Sequence, residues 1–80
     1  MSGTAHIASL IVRARSESAC VTAERLANLP GVEIHAVQDG KIVVVLEAAT
    51  ERGLADLMET IRAEPDVMLV NLIYHEVETI

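Results

Sequence analysis

Two proline-containing turns divide the chain into halves that follow the same pattern. The first turn, Leu29 to Val32, has the sequence LPGV, and the second, Glu64 to Val67, has the sequence EPDV. Because proline cannot continue a helix, each turn ends a helical segment, and a strand-like apolar run follows each of them. This repeat restricts the chain to two β-α-β units.

The segments around the turns supply the strands and helices of both units. Four strand-like runs are present, at residues 6–13, 32–37, 41–48 and 67–77. The Asp39-Gly40 dipeptide predicts a hairpin between the second and third runs. Helical spacing relates Ala19, Thr22, Ala23, Leu26 and Leu29 in one helix and Leu54, Leu57, Met58 and Ile61 in the other. Ser16 and Thr50 are the predicted N-caps.

Right-handed crossovers place the first and third strands in the centre, with the fourth strand beside the first and the second beside the third. The predicted fold is an α+β, ferredoxin-like βαββαβ sandwich, in which a four-stranded antiparallel sheet carries two helices on one face. We expect residues 1–80 to form one domain, because a chain of 80 residues has too little interior for two cores. The other sheet face is left uncovered, so function is sought there.

Strand alternation predicts which residues face the helices and which do not. The predicted helix side is a nearly unbroken apolar set: Leu10, Val12, Val32, Ile34, Ile42, Val44, Leu46, Met68, Val70, Leu72 and Tyr74. The predicted opposite face is mixed: Ile7, Ser9, Ile11, Arg13, Glu33, His35, Val37, Lys41, Val43, Val45, Glu47, Leu69, Asn71, Ile73 and His75. Its middle is aliphatic and its borders are polar, as in a protein interface.

Composition excludes several classes of function. The net charge of −6 opposes binding to nucleic acid, and one aromatic residue gives no platform for stacking bases. The apolar runs are too short to span a membrane, and residues 1–6 lack the features of a secretory signal, so we expect a cytoplasmic protein. With one cysteine and three scattered histidines, we expect no enzyme, no cofactor and no metal ion.

Four segments together resemble the NapD family along nearly the whole chain. They are residues 7–15 (IASLIVRAR), 29–36 (LPGVEIHA), 40–48 (GKIVVVLEA) and 70–76 (VNLIYHE). The resemblance implies a cytoplasmic chaperone that binds the twin-arginine signal peptide of the periplasmic nitrate reductase NapA and delays its Tat export until the cofactor is inserted. It also implies that the peptide binds as a helix on the uncovered sheet face.

The expected peptide-binding residues combine that implication with the alternation pattern. They are Ile7, Ser9, Ile11, Glu33, Val43, Val45, Glu47, Leu69, Asn71, Ile73, His75 and Glu76. The aliphatic members would take the apolar side of the helix, and the acids would meet its basic residues.

Two other readings of the fold remain open. One is a small-molecule effector module of the amino-acid-sensing, ACT or RAM type, which is normally fused to a regulated domain. The other is a homodimer that pairs the two uncovered faces. A peptide chaperone is expected to be a monomer, or a weak dimer that dissociates when the peptide binds.

Overall fold

The computed structural model describes residues 3–79, so Met1, Ser2 and Ile80, at the ends of the predicted domain, lie outside the described residues. The elements are β1 (Thr4–Ala14), α1 (Ala19–Ala27), β2 (Val32–Gln38), β3 (Lys41–Ala48), α2 (Glu51–Arg62) and β4 (Val67–Thr79). The four strands form one antiparallel sheet in the order β2-β3-β1-β4. The predicted ferredoxin-like fold and strand order are confirmed.

The two helices begin differently. Thr50 caps α2 as predicted, since its hydroxyl accepts a hydrogen bond of 2.9 Å from the Gly53 N–H. The predicted cap at Ser16 is wrong: Ser16–Ser18 forms a 3-10 turn, and α1 has no side-chain cap. At the end of β1, the Ala14 N–H donates a hydrogen bond of 2.8 Å to the Gly40 carbonyl of the hairpin. Only four residues then connect β1 to α1. Within residues 3–79, neither helix is long and apolar enough to cross a membrane.

The hairpin between β2 and β3 has the predicted turn. Asp39 and Gly40 have φ values of 51° and 78°, and two successive positive φ values are typical of a type I′ turn. This turn matches the right-handed twist of the flanking strands, and it sets the register that carries Lys41 opposite Gln38.

The core lies between the helices and one face of the sheet. Its fully buried side chains include Leu10, Val12, Leu26, Ile42, Val44, Leu46 and Ile61. Both predicted helical stripes pack here, with Leu29, Leu57 and Met58 partly buried against the core. Three residues of β4 that were assigned to the same sheet side, Met68, Leu72 and Tyr74, are at least half exposed and do not belong to the core.

Candidate functional site

The sheet face opposite the helices, here called the open face, is defined by the strand register. Residues paired across antiparallel strands share a face, so each pairing assigns a row of side chains. From one end of the strands to the other, the rows are Glu47, Ile7 and Glu76; Glu33, Val45, Ser9 and Tyr74; Ala36, Val43, Ile11 and Asn71; and Gln38, Lys41, Arg13 and Leu69.

The middle of the open face is aliphatic. Ile7, Ile11, Val43 and Val45, here called the aliphatic centre, lie on the two central strands and are only half-buried, since no helix covers them. Apolar surface of this kind gains free energy when a partner removes it from water.

The charges of the open face are separated along the strands. Glu33, Glu47 and Glu76, the acidic end, lie in the first two rows. Arg13 and Lys41, the basic end, are opposite each other in the fourth row. Ile7 and Arg13 are six residue steps apart along β1, which corresponds to about 20 Å of strand. The open face is therefore negatively charged at one end and positively charged at the other, although the net charge of the whole chain is negative.

Two β-bulges in β4 change the predicted facing of its side chains. Leu72 pairs with Leu10 and Tyr74 pairs with Ser9, which leaves Ile73 as an extra residue without a partner on β1. Beyond this bulge the alternation is reversed, so Tyr74 lies on the open face and His75, opposite Ala8, lies on the helix side. Met68 is the extra residue of a second bulge. The predicted open-face position of His75 is therefore wrong, and the register assigns Ile73 to neither face.

Ten of the twelve predicted site residues share the open face. They are Ile7, Ser9, Ile11, Glu33, Val43, Val45, Glu47, Leu69, Asn71 and Glu76. Of the open-face residues that the prediction missed, Ala36, Gln38 and Tyr74, the largest is Tyr74. The sequence does contain evidence against a helix-side position for Tyr74. Unbroken alternation would place Glu76 and Glu78 on the helix side together with Tyr74. Carboxylates are poor candidates for that side, which indicates a break in the alternation after Asn71.

A third bulge, at His35 in β2, has a similar effect. Ile34 pairs with Val44 and Ala36 with Val43, so Val37 lies opposite the buried Ile42 on the helix side. The predicted open-face position of Val37 is wrong for this reason. His35 Nε2 lies 3.4 Å from Glu33 Oε2, close to the acidic end.

Tyr74 and Glu76 are joined on the open face. The Tyr74 hydroxyl donates a hydrogen bond of 2.9 Å to Glu76 Oε2. This hydrogen bond stabilises the neutral phenol and the carboxylate charge repels the phenolate, so Glu76 raises the pKa of Tyr74. Glu78 adds a smaller effect in the same direction.

The titration of Tyr74 tests its contact with Glu76 on the open face. We expect Glu76→Gln to lower the pKa of Tyr74 toward the ordinary tyrosine value of about 10, because it removes the charge that opposes the phenolate. Tyr74 is the chain's only tyrosine, so the ultraviolet absorbance of tyrosinate measures it directly. Glu78→Gln is the matched control, with a smaller decrease expected. An unchanged titration in Glu76→Gln would show that the two side chains do not meet.

A shallow depression borders the acidic end. It has a volume of about 530 Å³ and is lined by Thr4, Ala5, Gly31, Val32, Glu33, Val45, Glu47, Ala48 and Ala49. The turn before β2 is fixed to its wall, since the Glu47 N–H donates a hydrogen bond of 2.8 Å to the Gly31 carbonyl. This contact holds the backbone of Glu47 in place at the acidic end.

The three histidines do not come together in one site. His6 and His75 stack on the helix side, with ring centroids 5.9 Å apart and an interplanar angle of 27°. In the part of the chain that the structure describes, no three histidine, cysteine or acidic side chains lie together as a metal-binding group.

Known proteins similar to this chain include the following two chaperones. Chaperone NapD of Paracoccus pantotrophus is 40% identical over 72 residues, which cover 90% of this chain and 64% of that protein. The chain thus spans less than two thirds of that relative. Chaperone NapD of Escherichia coli K12 is 36% identical over 75 residues, which cover 90% of this chain and 85% of that protein.

Two solved structures are similar to this chain, one of them a NapD chaperone. The solution structure of the E. coli Tat proofreading chaperone NapD matches with a TM-score of 0.88 and 31% identity, covering 95% of this chain and 82% of that one. A transcriptional regulatory protein of the ASNC family from Pyrococcus furiosus matches with a TM-score of 0.73 and 17% identity, covering 85% of this chain and 49% of that one. The latter likeness shows a shared fold and does not favour the effector-module reading.

The family comparison covers almost all of the chain. The model described as NapD protein matches residues 5–79. These residues include all four strands of the sheet except Thr4, and therefore the whole of the aliphatic centre and both charged ends. The chain belongs to the NapD family.

Proposed function

We propose that this protein is a cytoplasmic chaperone that binds the twin-arginine signal peptide of a NapA-type nitrate reductase precursor. Binding would hold the precursor back from Tat export until its cofactor is inserted. The observation that carries the proposal is the open face, which has an aliphatic centre and an acidic end and belongs to a chain of the NapD family. The role is one of peptide binding and requires no catalytic group or cofactor.

The aliphatic centre matches the apolar part of a signal peptide. Such peptides carry basic residues at the start, followed by an apolar stretch of about 7 to 15 residues. As a helix, this stretch presents an apolar stripe that Ile7, Ile11, Val43 and Val45 can cover. Because these side chains are already half-buried, covering each of them contributes roughly 1 kcal/mol. Tyr74 and Leu69, both about half exposed, extend the contact along β4.

The acids of the open face match the basic part of the same peptide. Exposed charge pairs contribute about 0.2–1 kcal/mol each, so apolar contacts dominate the affinity and the charges discriminate among peptides. Ser9 and Asn71 lie between the aliphatic side chains and can form hydrogen bonds with the polar edge of the helix.

A monomer presents the open face to a peptide, whereas a dimer formed through this face would hide it. We therefore propose that the protein is monomeric when the peptide is bound. Any self-association through the open face competes with the peptide, and sedimentation measured with and without the peptide separates these states.

Calorimetry with a synthetic NapA-type twin-arginine signal peptide tests the proposed function. We expect micromolar or tighter binding, with a negative heat-capacity change that reports burial of apolar surface. A scrambled peptide of the same composition is the control, because it keeps the charge but spreads the apolar residues around the helix. The absence of binding at high micromolar concentration, or equal binding of the scrambled peptide, contradicts the proposal.

A further inference from the structure

We infer that the charge polarity of the open face fixes the direction in which a peptide helix lies across it. The inference rests on the proposed function and adds the orientation of the ligand. The basic start of the peptide lies over the acidic end, and its apolar stretch crosses the aliphatic centre. The C-terminal end of its helix lies over Arg13 and Lys41.

The length of the open face suits this arrangement. The distance of about 20 Å along β1 between the first and fourth rows corresponds to about 13 residues of α-helix. One helix of signal-peptide length therefore reaches both charged ends at the same time. A helix in the reverse direction would place its basic residues against Arg13 and Lys41 and leave the acidic end without a cation.

The helix macrodipole favours the same direction. The N-terminus of a helix carries a partial positive charge, which is stabilised near carboxylates, and the C-terminus carries a partial negative charge, which is stabilised near cations. Glu47 and Glu76 flank Ile7 in the first row, and Arg13 pairs with Lys41 in the fourth. The side-chain charges of the peptide and the dipole of its backbone therefore act together.

The basic end is free to act in this way. Among the described residues, the ion pairs involve Arg25 with Glu64 and Asp66, Arg62 with Glu59, and His35 with Glu33. Arg13 and Lys41 are exposed and belong to none of these pairs. Their positive charge is therefore not neutralised by a described ion pair.

Paramagnetic broadening of amide signals measures the direction. The probe is the synthetic twin-arginine signal peptide with a nitroxide at its N-terminus or at its C-terminus, added to isotope-labelled protein with Cys20→Ser to avoid exchange with the exposed thiol. We expect the N-terminal label to broaden the amides of Ile7, Glu47 and Glu76. The C-terminal label is expected to broaden those of Arg13, Lys41 and Leu69. The reverse pattern, or equal broadening at both ends, overturns the inference while leaving peptide binding intact. No spectral change at all overturns the proposed function instead.

A charge-swapped variant tests the cause. It combines Glu47→Lys and Glu76→Lys with Arg13→Glu and Lys41→Glu, so the net charge is unchanged and the polarity is reversed. We expect the broadening pattern to reverse with it, and retention of the original pattern overturns the inference.

Two milder variants cover the case in which the swapped protein does not fold. Glu47→Gln with Glu76→Gln should weaken binding about three- to tenfold at low salt, whereas Arg13→Gln with Lys41→Gln removes only the interaction with the helix dipole and should weaken it about twofold or less. The opposite ranking contradicts the inferred direction.

Discussion

Ile11→Asp is expected to weaken binding of the twin-arginine peptide by at least about 30-fold. Ile11 lies in the aliphatic centre between Val43 and Asn71 and is half-buried in the free protein. A bound helix would remove the aspartate from water without providing it a partner, and it would lose the apolar contact of isoleucine. Together these effects amount to about 2 kcal/mol or more. Calorimetric titration of the variant with the synthetic peptide gives the change in affinity directly.

Val21→Asp is the matched control for this prediction. Val21 lies on α1 and is 52% exposed, so the same charge is introduced far from the open face, and unchanged affinity is expected. Ile11→Thr is a milder change that keeps the β-branched shape, and about threefold weaker binding is expected of it. If folded Ile11→Asp binds like the unmodified protein, the peptide does not lie on the aliphatic centre.

Gly31→Ala is expected to lower the free energy of unfolding by about 2–5 kcal/mol. Gly31 has a φ of 81°, and an alanine in this left-handed region costs about 1–2 kcal/mol. An added Cβ would also overlap the Glu47 carbonyl oxygen, and relief of such an overlap requires the turn to move away from β3 at a further cost of about 1–3 kcal/mol. Denaturant unfolding measures the total.

Two other variants separate the causes of the Gly31 effect. Gly31→Asn retains the overlap with Glu47, but asparagine tolerates positive φ, so a smaller loss of stability is expected. Gly3→Ala is the control, since a Cβ there has no atom within 4 Å. Unfolding of Gly31→Ala at the same denaturant concentration as Gly3→Ala would rule out the strain at this turn.

The sequence was sufficient to predict the parts of the fold that follow local rules. The bounds of β3 and the hairpin turn at Asp39-Gly40 were predicted as observed, because a type I′ turn leaves its signature in two adjacent residues. The facing of β1 and β3 was also predicted, since Leu10 and Val44 alternate regularly with Ile11 and Val43. The aliphatic centre lies on these two strands, which is why it was found.

The errors are concentrated in the edge strands. A bulge at Ile73 or His35 is one extra residue in a hydrogen-bond ladder, and no residue type marks it reliably. One extra residue reverses the sheet face of every side chain beyond it. Tyr74 therefore lies on the open face and His75 on the helix side, the opposite of the predicted arrangement. The cap at Ser16 failed for a different reason: the Ser18 N–H donates to the Arg15 carbonyl, so Ser16–Ser18 form a 3-10 turn and α1 begins only at Ala19.

The bulges in β4 also bear on aggregation. A thirteen-residue edge strand with exposed Met68, Leu72 and Val77 offers a second copy both apolar surface and unpaired backbone groups. The bulges at Met68 and Ile73 divide this edge into short, differently twisted segments, and Glu76 and Glu78 add charge to the last of them. Irregularities that complicate the prediction of β4 thus make its edge a poorer template for pairing with a second copy.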